Sequence, residues 1–193
     1  VSGSGKSFTA KREITALALS TQDDILIIDP ESEYRPLVEG LGGEVVEISA
    51  TSSNHINAMD MEQGYGEGEN PVVLKSEFLL SLCEQSVGAG KLSAKEKSII
   101  DRCAGNIYRQ YLKNFRGDPP TLKDLYDDLK RQVEPGAEQL ALILELFTTG
   151  SLDVFAHQTN INSDNRLLCF DIHELGEELK PVGLLVMLDA IYN

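Results

Sequence analysis

The chain has 193 residues, of which 41% are hydrophobic and 25% charged, and its formal net charge at pH 7 is -14. This length accommodates one sizeable core, or one core with an inserted subdomain. An acidic surface repels phosphate backbones and disfavours a broad nucleic-acid-binding face, and the longest apolar run, residues 182–188, is far shorter than the roughly 20 residues of a membrane span.

The chain opens on VSGSGKSFTA, a glycine-rich turn followed by lysine and serine. It fits the phosphate-binding signature G-x-x-x-x-G-K-[ST] if a glycine precedes Val1. In such a loop, backbone N–H groups surround the β-phosphate, the lysine reaches the β- and γ-phosphates, and the serine hydroxyl binds Mg²⁺. A flexible linker is the alternative, but the turn leads directly into a helical pattern and then a strand. The candidate nucleotide-binding residues are Ser2, Gly3, Ser4, Gly5, Lys6, Ser7 and Phe8, with Ser7 as the Mg²⁺ ligand.

Short β-branched or apolar blocks predict three strands, at residues 25–28, 44–48 and 167–172. A helix follows the opening turn, and a short helix at residues 34–39 ends at Gly40. This alternation predicts an α/β fold with a parallel sheet covered by helices.

Residues 63–70 are predicted to form a loop, and residues 75–149 to be almost wholly helical. Ser93 and Glu96 form a capping box. The pair Pro135-Gly136 is predicted to stop a helix that starts near residue 120, and Pro181 to open the last helix. The predicted division is therefore an α/β core at 1–74, an all-α insertion at 75–160, and the continuing core at 161–193.

Two strand ends carry carboxylates that suit a Walker B role, in which an aspartate holds the Mg²⁺ water shell. One is ILIIDPESE, with Asp29, Glu31 and Glu33, and the other is LLCFDIHE, with Asp171 and Glu174. Their spacing alone does not choose between them, and either is also consistent with an ordinary solvated strand terminus.

The remaining chemistry-bearing residues have ordinary interpretations. Cys83, Cys103 and Cys169 lie among apolar neighbours without a C-x-x-C pair, so they are predicted to be buried free thiols. His55 is predicted to cap a turn rather than to contact nucleotide. His157 and His173 lack partners at metal-ligand spacing, so zinc is not expected.

Several motifs, taken in order, resemble the large ATPase of type IV secretion and conjugative-transfer machines, in the HerA–FtsK branch of P-loop motors. They are GSGKSFTAKREI, ILIIDPESEY, SNHINAMDM, SAKEKSIIDRCAGNIY and FDIHELGEELKPVGLLVMLDAIYN, and together they span essentially the whole chain. The resemblance implies a RecA-like P-loop NTPase core with an α-helical insertion, and ATP and Mg²⁺ as ligands. It gives Lys6 a catalytic role and Asp29 and Glu31 a polar supporting role around the metal and the attacking water.

The resemblance also implies a larger assembly. It places the first core strand before Val1 and the Walker B strand beyond Asn193, so this segment alone is not expected to be a stable monomer. It further implies a hexameric ring, contacts with other apparatus subunits, and a cytoplasmic protein peripherally bound to the inner face of the cell membrane. Two alternatives are a non-catalytic, nucleotide-dependent interaction module and a P-loop switch or kinase, although the chain lacks an N-K-x-D element and an arginine-rich lid.

Overall fold

The structure is a computed structural model that describes residues 4–191 and 193. The chain divides into two compact units, one within residues 1–54 and 161–176, the other within residues 55–160 and 177–193. The first unit contains the sheet and the second is helical. The predicted three-part division at residues 74 and 160 stays a prediction.

The sheet of the first unit has three parallel strands, β1 (Ile25–Asp29), β2 (Glu44–Glu47) and β3 (Leu167–Asp171). Their order is β1-β3-β2, so the strand that comes last in sequence is central. The register aligns Asp29 of β1 and Glu47 of β2 with Asp171 of β3. Three acidic residues therefore end neighbouring strands at the same, carboxyl, edge of the sheet.

Two helices complete the first unit, α1 (Ser4–Ser20) and α2 (Arg35–Gly40). The sheet's core consists of Ile27, Val38, Leu167 and Cys169, against which Ile14 of α1 packs. After α2 the chain reverses through Gly42, whose φ of 79° is costly for residues with a Cβ. The next residue is Gly43, where a Cβ atom would lie 2.7 Å from side-chain atoms of both Leu167 and Val38.

The second unit contains four helices and most of a fifth, and three of the helix starts are capped by side chains. Asn70 accepts hydrogen bonds from the amides of Val72 and Val73 at the start of α3, and Ser93 accepts from the Glu96 amide at the start of α4. Thr121 and Asp124 form a capping box that begins α5. The helices are α3 (Pro71–Val87), α4 (Ala94–Tyr108), α5 (Leu122–Arg131), α6 (Pro135–Thr148) and α7 (Gly176–Ala190), with 3₁₀ turns at Tyr111–Lys113 and His173–Leu175.

Two predictions about prolines were wrong. Pro135 is the first residue of α6 rather than the stop of α5, which ends at Arg131; proline is favoured at this position because its missing N–H has no acceptor there. Pro181 lies inside α7, which begins at Gly176. Its missing amide costs one helical hydrogen bond, a loss that the complete burial of Leu179, in the turn before it, helps to offset.

The three cysteines are free and buried, as predicted. Burial, with a smaller contribution from the charge of Glu84, raises the pKa of Cys83 to about 12. Burial likewise raises the pKa values of Cys103 and Cys169 to about 12. No helix in the described part of the chain has both the length and the apolar character needed to cross a bilayer.

Candidate nucleotide-binding site

Helix α1 runs antiparallel to the strands. Near its C-terminal end, Arg166, which precedes β3, donates hydrogen bonds to the carbonyls of Ala18 and Asp23. Nearer its start, the Nζ of Lys11 lies 5.6 Å from the ring centroid of Tyr34, which follows β1. The N-terminus of α1 therefore points toward the carboxyl edge of the sheet, where open α/β folds bind their ligands.

The first turn of α1 presents two polar side chains, Lys6 and Ser7. Lys6 is exposed and has no ion-pair partner there, and Ser7 is half-buried. No acidic side chain lies in this turn. The N–H groups of a helix's first turn have no intrahelical acceptor, and the helix dipole makes them favourable to anions.

The other predicted nucleotide ligands have mixed outcomes. Ser2 and Gly3 lie outside the described residues, and Ser4 begins α1. A Cβ built on Gly5 meets nothing within 4 Å, so the space beside it is open. Phe8 is 64% exposed, and the guanidinium carbon of Arg12 lies 5.9 Å from its ring centroid.

The buried carboxylate of Asp29 organises the loop that follows β1, residues 30–34. Its Oδ1 accepts the amides of Glu31 at 3.3 Å and Glu33 at 3.1 Å, and its Oδ2 accepts the amide of Tyr34 at 3.0 Å. Asp29 is only 1% exposed. Its carboxylate is thus occupied in fixing the backbone of this loop. We call the loop together with Asp29 the DPESEY loop (residues 29–34).

Asp171 holds the same loop from the neighbouring strand. Its Oδ2 accepts the hydroxyl of Ser32 at 2.7 Å and lies 3.9 Å from the Arg35 guanidinium, while its Oδ1 accepts the amide of His173. Ser32 has a φ of 56°, a left-handed conformation that is strained for serine. Two buried carboxylates on adjacent strands therefore fix one loop. In the structure Asp171, whose role sequence patterns left open, binds that loop through Ser32.

Glu31 lies in this fixed loop with an exposed side chain that has no hydrogen bond or ion pair within the described residues. Of the two predicted supporting carboxylates, Asp29 is committed to the protein's own backbone, whereas Glu31 is free to meet water or a ligand. The structure thus brings Asp29, Glu31 and Tyr34 together at the carboxyl edge.

The donor set of α1 fits a polyphosphate with a divalent cation. Unsatisfied amides, an unpaired lysine and the absence of an acid in the first turn suit phosphate oxygens. The neutral oxygen of Ser7 is a ligand type that Mg²⁺ accepts. Elsewhere in the described residues, no group of three or more His, Cys, Asp or Glu side chains could hold a metal ion.

Two groups in the helical unit did not follow from sequence patterns. The ring of His55 does not cap a turn: it packs on His157 with centroids 4.5 Å apart, and its Nδ1 is buried without a partner. Lys75 is completely buried and paired with Asp189. No sequence signal could have found this pair, because its members lie on helices far apart in the chain.

Comparison with known proteins decides the family. The sequence profile described as the central domain of helicase HerA matches residues 1–188. The chain belongs to the HerA central-domain family. VirB4 of Thermoanaerobacter pseudethanolicus is similar in structure, with a TM-score of 0.81 and 24% identity over 97% of this chain and 74% of that chain. No curated protein matches the sequence.

These matches confirm two predictions. The resemblance to the HerA–FtsK branch is confirmed by the family match. The fold class, a P-loop NTPase core with a parallel sheet and an α-helical insertion, is confirmed by the shared fold with VirB4. At 24% identity the structural likeness establishes the fold alone.

Proposed function

We propose that this chain is an ATP-binding and ATP-hydrolysing motor domain of a type IV secretion or conjugative-transfer ATPase. In this proposal residues 2–8 bind the triphosphate, Lys6 neutralises charge on its β- and γ-phosphates, and Ser7 is a ligand of Mg²⁺. The cation supplies charge neutralisation at the transferred phosphoryl group. Membership of the HerA family supports ATP as the nucleotide.

One structural observation carries the proposal. The first turn of α1, with an unpaired Lys6 and a half-buried Ser7, points toward the carboxyl edge of the sheet, beside the DPESEY loop. Charge-neutralising groups and a fixed acidic loop then lie next to each other. Phosphoryl transfer needs this combination, because its catalysis is mostly positioning and electrostatic stabilisation.

The two carboxylates take different roles. Asp29 is a positioning residue, because its oxygens hold three loop amides. Exposed Glu31 is the group available to orient the attacking water or a water of the cation shell. The proposal thus keeps the predicted supporting role for both residues: Asp29 positions the loop, and Glu31 orients water.

The resemblance to secretion ATPases supports further elements of the proposal. The parent protein would form a hexameric ring with nucleotide at subunit boundaries, contact other subunits of the apparatus, and associate peripherally with the inner face of the cell membrane. The net charge of -14 favours protein contacts over a broad nucleic-acid contact for this segment.

Steady-state ATP hydrolysis by the full-length protein tests the proposal, with Lys6→Ala as the key variant. Lys6 is exposed and makes no ion pair in the described residues, so its removal should leave the fold intact. We expect turnover to fall at least about a hundredfold, because a charge on the transferred phosphate loses its partner. Lys97→Ala, an exposed lysine on α4, is the matched control. Equal turnover in wild type and Lys6→Ala would refute the assignment.

A specific observation favours one alternative, a nucleotide-dependent interaction module with little turnover. Both buried strand-end carboxylates in the described residues, Asp29 and Asp171, are occupied by the protein's own groups. Neither is therefore free to hold the water shell of a cation. Tight, Lys6-dependent ATP binding without measurable hydrolysis by the full-length protein would favour the module over the motor.

A further inference from the structure

A groove in the helical unit lies between one face of α6 and the first two turns of α7. Its α6 wall consists of Ile143, Leu146 and Phe147, which follow the i, i+3 and i+4 spacing of a single helix face. Ile143 is 36% and Leu146 41% exposed, so a partner can reach both side chains. The groove has a volume of about 280 Å³, slightly below the roughly 300–1,000 Å³ of small-molecule pockets. Its size therefore suits the anchoring side chains of a partner protein.

The α7 wall adds two carboxylates to this apolar floor. Pro181 and Val182 continue the floor, and Glu177 and Glu178 lie one helical turn before them. Both glutamates are exposed, and neither has a hydrogen bond or ion pair in the described part of the chain. The other lining residues are uncharged and come from the end of α3, namely Gln85 and Ser86. The groove therefore combines an apolar floor with an unpaired negative rim.

The floor is held by the core of the helical unit. Val182 is buried, and Leu179 in the preceding turn of α7 is completely buried. Phe147 and Val182 also pack around the interior beneath the groove, together with buried Leu82 and Leu144. A floor that is already packed loses little freedom when a partner binds.

The charge of the rim disfavours two occupants that an apolar groove could have. Anionic lipid surfaces attract basic protein segments and repel acidic ones. A second copy in a two-fold contact would place the same glutamates close to one another, and each copy carries a net charge of -14. Like charges opposed across an interface weaken association. The observations thus favour a partner whose charge is opposite to that of the rim.

We propose that this groove is a docking site for a basic amphipathic helix of another protein. The apolar face of that helix packs on Ile143, Leu146 and Val182, and lysine or arginine side chains beside it pair with Glu177 and Glu178. A helix is the matching shape because both walls are helix faces, between which the ridges of a third helix can pack. The inference gives a surface and a chemistry to the partner contacts of the proposed function, and in that respect it rests on the proposed function.

Fluorescence anisotropy of a labelled peptide with the full-length protein tests the proposal. The probe is an alanine-based peptide of about 18 residues, long enough to be helical, with leucines along one face and lysines beside them. A matched peptide carries glutamate in place of every lysine. We expect the lysine peptide to bind, and the glutamate peptide to bind at least about tenfold more weakly because the rim repels it. Equal binding of the two peptides would contradict the proposal.

A pair of charge variants locates the peptide at the rim. Glu177→Gln/Glu178→Gln should weaken binding of the lysine peptide about threefold to tenfold. The control Glu67→Gln/Glu69→Gln removes the same charge from an exposed loop and should stay within about twofold of wild type, because salt screens distant charges. Since acidic residues in a first turn also stabilise a helix, the melting temperature of each variant is measured, and binding is compared where all are folded.

A pair of leucine variants locates the peptide on the floor. Leu146→Gln should weaken binding of the lysine peptide about fivefold or more, because apolar contact area is lost. The control is Leu142→Gln, at an exposed position of the same helix that does not line the groove, and it should leave binding unchanged.

The outcomes separate the proposed occupant from the others. Equal weakening by both glutamate pairs would indicate a general attraction to an acidic surface and would overturn the proposal, as would no measurable binding of the lysine peptide. Dissociation of a full-length oligomer in Leu146→Gln would also overturn it, because a second copy would then occupy the groove. Peptide binding without Lys6-dependent ATP turnover would overturn the proposed function and leave the docking site intact, and turnover without peptide binding would do the reverse.

Discussion

The buried ion pair of the helical unit gives the sharpest stability prediction. The Nζ of Lys75 contacts the carboxylate of Asp189, donates to the carbonyl of Asp60 at 2.9 Å, and lies 3.5 Å from that of Ala58. Tyr65 donates its hydroxyl to the other oxygen of Asp189. Burial lowers the pKa of Lys75, and the charge of Asp189 opposes this shift.

Lys75→Met keeps the aliphatic stem and removes the ammonium group, so Asp189 remains buried with an uncompensated charge. Removing one partner of a buried pair costs about 3–5 kcal/mol of unfolding free energy, which is a large share of the roughly 5–15 kcal/mol that stabilises a domain. The double variant Lys75→Met/Asp189→Leu should be more stable than Lys75→Met alone, because it no longer buries a lone charge.

Urea unfolding measures these differences, followed by far-ultraviolet circular dichroism and by tyrosine fluorescence, since the chain has no tryptophan. Buried Tyr65 and Tyr108 lie in the same unit and report on it. The matched control is Lys97→Met, at an exposed position of α4, which should stay within about 0.5 kcal/mol of wild type. A loss below about 1 kcal/mol in Lys75→Met would refute the reasoning.

Three other predictions concern Asp29 of the first unit, the buried thiol of Cys83 in α3, and the cap of α4. Asp29→Asn should lower the free energy of unfolding by about 1–3 kcal/mol, because an amide side chain cannot accept hydrogen bonds from all three loop N–H groups. Thermal melting measures this loss, with Glu39→Gln at an exposed position as the control. An equal loss of stability in both variants would contradict the reasoning. The raised pKa of Cys83 means that its unfolded thiol ionises above pH 9 while the folded one stays protonated, so stability should fall as the pH rises from 9 to 12 by up to about 1.4 kcal/mol per pH unit. Cys83→Ala should reduce that slope in urea titrations by the share of one thiol, since Cys103 and Cys169 contribute in the same way. An unchanged slope would contradict the raised pKa of Cys83. Ser93→Ala should lower the free energy of unfolding by about 1 kcal/mol, because α4 loses its N-terminal cap. Ser98→Ala, within the same helix, is the comparison.

Local signals predicted the elements but not their assembly. The β-branched block of β1 and the cap at Ser93 depend on neighbouring residues, so sequence patterns find them. The central place of β3 depends on long-range pairing, and no local pattern encodes it. The two misread prolines have different causes. Pro135 does mark a helix boundary, but it opens α6 instead of stopping α5. Pro181 lies inside α7, where proline is disfavoured, so a local pattern predicts a first-turn position for it.

The candidate site shows the same difference between local signals and long-range contacts. The sequence identifies Lys6 and Ser7, because their chemistry is contained in a short motif. It also marks Asp29 as a strand-end carboxylate, but not that its oxygens bind the loop amides, which depends on how the chain turns after β1. Tyr34 gave no signal of its own, since its contact with Lys11 joins two elements through packing.

The most direct test of the account is a structure of the full-length protein with Mg²⁺ and a non-hydrolysable ATP analogue. We predict that the triphosphate lies on the amides of the turn at residues 2–7, with Lys6 on its terminal phosphates and the Ser7 oxygen on the cation. A triphosphate bound away from the first turn of α1, or a cation without Ser7 among its ligands, would contradict the central claim.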